Sequence, residues 1–223
     1  ALSNMLYMDN VVYSNNTRFQ NLVVTERQSR NSPVPTIGLY INGHLQFSSN
    51  DEVVYHSMLV EPVMAITPRN KDILVIGGGD GLAVRDILKK SPDSVTLIEI
   101  DPKMIAMFQG KEDGMPDSVA KSLLRLNQNS LNDERVNVVY GDAFKVVEGM
   151  VGQNKYFDAI VVDLPDPNHP DLNKLYSVYF YKQLTSLLSA DGAMVVQSTS
   201  PYHSKHAFMS IGKTMTTSGL NVK

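Results

Sequence analysis

Short apolar runs closed by glycine, proline or acidic residues alternate with segments whose apolar positions follow a helical spacing from about residue 70 onward. The pattern predicts strands at 72–77, 94–99, 135–140, 157–162 and 192–197, with helices near 81–90, 102–109, 117–127, 143–150, 178–189 and 203–217. Such alternation gives an α/β fold, a parallel doubly wound sheet covered on both faces, with ligands gathered at the carboxyl ends of its strands. The first fifty residues differ. Asn10–Ser14, Phe19–Arg27 and Thr36–Ile41 are rich in β-branched and aromatic residues, and Asn42-Gly43 before His44–Phe47 is a two-residue hairpin signal. The chain therefore reads as a small N-terminal β-hairpin domain over 1–50 and a Rossmann-like domain over 51–223. Asp51 can cap a connecting helix that carries Val54, Met58, Leu59 and Val63 and ends around Pro68. The polar segment Gly110–Asp133 is expected on the surface, and a doubly wound sheet would normally add one or two strands beyond residue 223.

The strand ends carry the chemistry. Ile73-Leu74-Val75-Ile76 runs into Gly77-Gly78-Gly79-Asp80-Gly81, a GxGxG turn of the methyltransferase type; Leu82 stands where a dinucleotide fingerprint needs its third glycine. Asp80 is out of place for a phosphate or a substrate carboxylate, so this turn asks for a ligand that presents a cation. Glu99 closes the second strand roughly twenty residues further on, where an acid can take both ribose hydroxyls of an adenosine. Asp101, before Pro102, is also a good helix cap. At the third strand end, Asp142 before Ala143 can accept from an adenine amine or cap the next helix, and the two roles are compatible. The fourth strand delivers Asp163-Leu164-Pro165-Asp166-Pro167, two carboxylates on a proline-stiffened turn: a near base and a far counter-ion for an amine, or a solvated surface turn. Asn168–Tyr176 lies in the position of a lid, with His169 as a surface residue. Tyr55 and His56 sit on the connecting helix, and Tyr55 can bond a reacting amine or serve as a core aromatic.

Composition narrows the ligand. At 223 residues and 43% hydrophobic content the chain buries a sizeable core, and a net charge of −3 gives no basic footprint for nucleic acid. The absence of cysteine removes disulfides, zinc-thiolate sites and thiol nucleophiles, and five scattered histidines in no spaced pair leave a metal site unexpected. The eleven methionines show no helical stripe and read as core filling. No apolar run is long enough to span a bilayer and no signal segment is visible, so the chain as given is expected to be soluble, with a cytoplasmic location.

Thr17-Arg18-Phe19-Gln20, Asn42–Gln46, Asp51-Glu52 with Tyr55-His56-x-Met58-Leu59, Gly77–Gly81, Ile98–Asp101, Gly141–Phe144 and Asp163-x-x-Asp166-Pro167 stand in one order that resembles the spermidine synthase family, the polyamine aminopropyltransferases. The resemblance implies that Gln20, Gly77, Gly79, Asp80, Glu99, Asp142 and Ala143 hold decarboxylated S-adenosylmethionine as co-substrate, with no permanently bound cofactor. It implies Asp163 as catalytic acid/base, and Asp166, Gln46, Tyr55 and His56 as the polyamine site. The implied reaction moves an aminopropyl group to putrescine, giving spermidine and methylthioadenosine. A homodimer through the N-terminal hairpins is also expected. Leu164-Pro165 and the lid depart from the common family wording and look like a bacterial branch fused to transmembrane segments, which would make this a cytoplasmic domain of a membrane protein. Two rivals remain: an S-adenosylmethionine-dependent methyltransferase acting on a small amine, and a non-catalytic polyamine-binding domain.

Overall fold

A computed structural model describes residues 7–30, 32–165 and 170–222. Four antiparallel strands come first, β1 (Asn10–Asn16), β2 (Asn21–Arg27), β3 (Thr36–Ile41) and β4 (His44–Ser48), paired in sequence order. The predicted hairpin closes β3 on β4 at Asn42 and Gly43, both with positive φ. The helix α1 (Glu52–Ile66) then leads into a five-stranded parallel sheet of β5 (Asp72–Gly77), β6 (Ser94–Glu99), β7 (Val136–Tyr140), β8 (Phe157–Asp163) and β9 (Leu188–Val196), in the order β7-β6-β5-β8-β9. Between them run α2 (Leu82–Leu88), α3 (Pro102–Phe108), α4 (Asp117–Leu126), α5 (Ala143–Met150), α6 (Pro170–Asn173) and α7 (Val178–Ser186), and α8 (Lys205–Thr217) follows β9. The sheet order, with β5 central and successive strands added first on one side of it and then on the other, opens the crevice at the β5 carboxyl end.

The period of two along the strands sorts the core into layers. Ile73 and Val75 point with Val95, Leu97, Ala159 and Val161 to one face, which α2 and α3 cover; Leu74 and Ile76 point with Ile160 and Val162 to the other, under α5 and α7. Leu22, Val24, Ile37, Leu39 and Phe47 of the small sheet belong to the first of these layers, and the Phe47 ring meets Phe108 edge-on at 6.2 Å. At the opposite, amino-terminal edge of the parallel sheet the Asp158 carboxylate gathers Lys71 N (3.0 Å), Asp72 N (3.3 Å), Arg69 Nε (3.2 Å) and Ser189 Oγ (3.1 Å). That clamp ties β5, β8 and β9 together away from the crevice.

Four expectations need correction. The inward face of α1 is Glu52, His56, Leu59, Val60, Val63 and Met64, whereas Val54 and Met58 are 68% and 69% exposed. The reason is that two polar residues occupy the buried stripe, satisfied by each other and by α2. Asp51 makes no side-chain cap; its carbonyl accepts from Val54 N instead. The segment 110–133 is not all surface. Leu123, Asn127, Ser130 and Leu131 are buried, the two polar ones with their hydrogen bonds made. Strand β9 begins four residues early because Phe157 pairs with Leu188 across a register shift, so Leu188–Asp191, expected as a helix end and a connection, is irregular strand. The expected lid loop holds α6 and a 3-10 turn at Lys174–Tyr176 within its described part. Among the described residues, no helix is long and apolar enough to cross a membrane.

Candidate active site

The turn after β5 is shaped by what lies on either side. Gly77, Gly78 and Gly81 have φ of 76°, 70° and 76°, in the region that favours glycine. A side chain at Gly77 would press on the Asp163 carbonyl, and a Cβ at Gly78 would stand 2.9 Å from Asp163 Oδ2. At Gly79 it would stand 2.6 Å from Glu99 Oε2. The bare turn thus fits between two carboxylates delivered by the strands that flank β5, because β8 and β6 end level with it. Asp80 is buried in the turn, with Oδ1 accepting from Leu82 N at 2.9 Å. Asn127 Nδ2 reaches the Asp80 carbonyl at 3.2 Å and Ser130 Oγ the Gly81 carbonyl at 2.7 Å, bracing the turn from behind.

Helix α1 brings the aromatic groups. The Tyr55 hydroxyl donates to Asp163 Oδ1 at 2.6 Å, and the His56 ring stands edge-on to Tyr55 at 4.8 Å. Burial pushes the pKa values of Asp80 and Asp163 upward; the Tyr55 hydrogen bond and the nearby imidazole pull Asp163 back, and the imidazole likewise opposes the rise at Asp80. Burial and the Asp163 charge raise that of Tyr55 far above the ordinary phenol, so its proton stays on the ring oxygen. Burial would lower the pKa of His56, but the Glu52 hydrogen bond and the carboxylates of Asp80 and Asp163 outweigh it and raise it. This is a cluster of negative charge, buried at Asp80 and open to solvent on the Tyr55 side. It favours a cation.

A second cluster of polar groups is built at the ends of β6 and β7. Glu99 is 8% exposed; burial pushes its carboxyl up to about 7 against the backbone N–H groups of Ile100 and Asp101. Gln20 is one step behind it: its Nε2 donates to Asp101 Oδ2 at 3.0 Å, Thr17 Oγ1 donates to the same atom at 2.7 Å, and Asp101 N donates to Glu99 Oε1 at 3.0 Å. Asp101 also caps α3 through Lys103 N. Asp142 caps α5 through Phe144 N at 2.9 Å while its other oxygen pairs with Lys174 of the lid, and Ala143 is the buried first residue of that helix. Hence Gly77, Gly79, Asp80, Glu99, Tyr55, His56 and Asp163 converge at one turn, with Gln20 beyond Asp101 and with Asp142 and Ala143 at the start of α5. Gln46 does not join them visibly: it is exposed on β4 and donates to His44 O of its own strand at 3.3 Å. Asp166, like His169, lies outside the described residues.

Several contributors carry no sequence motif. A groove of about 580 Å³ opens beside Tyr55, lined also by Met58, Val196, Gln197, Ser200 and His203. Gln197 closes β9 in the position where Glu99 and Asp163 close their strands, which is the signal that finds it. Tyr176 of the lid donates to Pro165 O at 2.9 Å. Arg85 stands behind His56 through Glu52 of the Asp51-Glu52 segment, and only its burial reveals it.

Sheet order, glycine turn and strand-end carboxylates together define a Rossmann-like fold of the methyltransferase type. Residues 52–223 match the spermine/spermidine synthase domain family. The chain is 50% identical over 221 residues to a polyamine aminopropyltransferase of Shewanella oneidensis, covering 99% of this chain and 38% of that protein. It is 40% identical over 215 residues to polyamine aminopropyltransferase 1 of Streptomyces coelicolor, covering 96% and 38%. Among solved structures it resembles spermidine synthase from Thermotoga maritima, with a TM-score of 0.74 at 25% identity over 92% of this chain and 63% of that one. A spermidine synthase in complex with the transition-state analogue AdoDATO gives a TM-score of 0.76 at 25% identity, covering 92% and 64%. The chain belongs to the spermine/spermidine synthase family. It spans about two fifths of the length of these curated relatives.

Proposed function

We propose that this chain carries an aminopropyltransferase site that moves the aminopropyl group of decarboxylated S-adenosylmethionine to putrescine, giving spermidine and methylthioadenosine. The observation that carries the reading is that Asp80, which is buried, and Asp163, which is part-buried, converge over one glycine turn with the Tyr55 hydroxyl bonded to Asp163. A sulfonium nucleoside with a terminal ammonium and no carboxylate matches that charge, while S-adenosylmethionine would bring its own carboxylate against Asp80. Glu99 takes the ribose hydroxyls, and Asp142 faces the adenine amine.

In the reaction the amine nitrogen attacks the carbon next to the sulfonium. The C–N bond forms, the C–S bond breaks, and its electron pair returns to sulfur as a neutral thioether. The sulfonium is already a good leaving group, so the protein's contribution is a neutral amine in line with it: an alkylammonium with a pKa of about 10 arrives protonated. Asp163, its carboxyl raised by burial, accepts a proton from the amine, and Tyr55 fixes the orientation of that carboxylate. The groove beside Tyr55 gives the rest of a diamine somewhere to lie.

The test is incubation with decarboxylated S-adenosylmethionine and a panel of amines, with methylthioadenosine followed by mass spectrometry. Product that requires both an amine and the decarboxylated nucleoside supports the proposal. Methylated amine from S-adenosylmethionine, or tight nucleoside binding with no product in any amine, overturns it in favour of a methyltransferase or a binding domain.

A further inference from the structure

Behind the turn lies a chain of buried charge that the reaction above does not use. Arg85 of α2 spends all five of its N–H donors. Nη1 and Nη2 grip Glu52 Oε1 and Oε2 at 2.8 and 3.1 Å, Nε and Nη2 grip Asp86 Oδ1 and Oδ2 at 3.0 and 2.9 Å, and Nη1 also reaches Leu126 O at 3.1 Å. Arg85, Glu52, Asp86 and His56 are 5%, 3%, 5% and 2% exposed. The Glu52 oxygen that Arg85 Nη2 holds is the one His56 Nδ1 meets at 2.9 Å, and the Glu52 carbonyl meets the same nitrogen at 2.8 Å. Both of those partners can only accept, so Nδ1 carries a proton in either charge state of the ring. Nε2 is then the nitrogen that titrates, and the charges acting on it from the site are the carboxylates of Asp80 and Asp163.

We propose that Glu52 and Arg85 are positioning residues for His56, holding Nδ1–H inward so that Nε2 is the nitrogen offered to the cationic substrate. The proposal rests on the aminopropyltransferase reading for the identity of that substrate, and not for the arrangement itself. A fork held by two carboxylates cannot turn, so the ring it holds through Glu52 cannot turn either. Taking this many charges out of water brings little net stability, and the arrangement is better explained by the orientation it imposes. The ring touches Glu52 on its own helix and stands edge-on to Tyr55, and the charges of Asp80 from the turn and Asp163 from β8 act on it; Arg85 and Asp86 of α2 act through Glu52, and Lys89, half exposed on Asp86 at 2.6 Å, closes the chain. As a neutral acceptor, Nε2 can take an N–H of the incoming ammonium; as an imidazolium it repels one. Glu52 raises the ring's affinity for a proton, and Arg85 keeps that rise within bounds by sharing the same carboxylate.

The experiment is an NMR pH titration of the ¹⁵N-labelled imidazoles of this chain, with His56 assigned by its loss in His56→Gln. In the unaltered protein the neutral ring should be the Nδ1–H tautomer. Glu52→Gln should lower its proton affinity at least tenfold, and Arg85→Met, which leaves Glu52 uncompensated, should raise it at least tenfold. Opposite signs are the signature, since mere loosening of the fold would move both variants toward an ordinary exposed histidine. The acid limb of the amine KM should follow each shift while kcat at saturating amine changes less than threefold. If Arg85→Met does not fold, Asp86→Asn tests the chain from its far end and should lower the affinity. An Nε2–H tautomer, or shifts of one sign in both variants, overturns the proposal. The titration reads the network without turnover, so failure of the aminopropyl assay leaves it interpretable.

Discussion

Asp80→Asn separates the two demands placed on the glycine turn, because the amide keeps the shape and loses the charge. Asp80 is 8% exposed, and burial with Asp163 nearby pushes its carboxyl from 3.8 up to about 6. A folded pKa above the unfolded one means that the native state binds the extra proton. Stability therefore falls as pH rises from about 4 through about 6 and stays lowered above that. At about 1.4 kcal/mol per pK unit, the ionised Asp80 costs the empty protein about 3 kcal/mol at pH 8. The asparagine Oδ1 can still accept from Leu82 N, so little else changes. For a chain of this size that gain is worth a rise in Tm of about 6–12 °C at pH 8, at about 2–4 °C per kcal/mol, and close to nothing at pH 4. The same substitution removes the partner of the ammonium. Affinity for decarboxylated S-adenosylmethionine should fall by about 1.5–3 kcal/mol, or roughly ten- to a hundredfold, with methylthioadenosine binding kept. Thermal unfolding at pH 4 and 8, with isothermal titration of the two nucleosides, measures all of this. An unchanged Tm at pH 8, or equal losses for both nucleosides, would refute the picture of a desolvated charge awaiting a cation.

Four further outcomes are expected. Asp163→Asn should reduce turnover by about 10²–10⁴-fold with methylthioadenosine affinity retained, which steady-state rates and titration would show together. Tyr55→Phe removes the donor that stabilises the Asp163 carboxylate, so the acid limb of kcat/KM should move to higher pH; an unmoved limb would take Tyr55 out of the proton path. Glu99→Gln should weaken nucleoside binding roughly ten- to a hundredfold by loss of a charged acceptor, and should stabilise the empty fold above pH 7, where the buried carboxylate is ionised. Gly79→Ala places a Cβ 2.6 Å from Glu99 Oε2 and 2.9 Å from Met104, so it should mimic the nucleoside defect of Glu99→Gln with Asp163 chemistry intact in any residual complex.

The parallel sheet could be read from the chain because its strands are apolar on both faces and end in residues that nothing in a core would select: Gly77, Glu99 and Asp163. Those same ends announced the site. What stayed hidden follows a different logic. The buried face of α1 contains Glu52 and His56, so a search for apolar periodicity lands on Val54 and Met58, which face outward. Asn127 and Ser130 lie in a polar stretch that reads as surface, and the distant carbonyls of Asp80, Phe108 and Gly81 explain their burial. Arg85 is one arginine in an ordinary helix until Glu52, thirty-three positions earlier, is placed against it. Polar groups satisfied by distant partners leave no local pattern. The departure of Gln46 from the cluster has the same source, since its strand could be predicted but not where the small sheet turns its exposed face.

The Asp158 clamp divides this molecule in a way that bears on how it can change. Everything that holds β5, β8 and β9 in register at that edge lies a full strand length from Asp163 and Gln197, so the segments beyond those two residues, 164–173 and 198–204, can diverge without loosening that edge of the sheet. Descendants of such a scaffold can explore acceptors of different length or charge by altering those two segments alone, and a laboratory library confined to them begins from a fold that it does not put at risk.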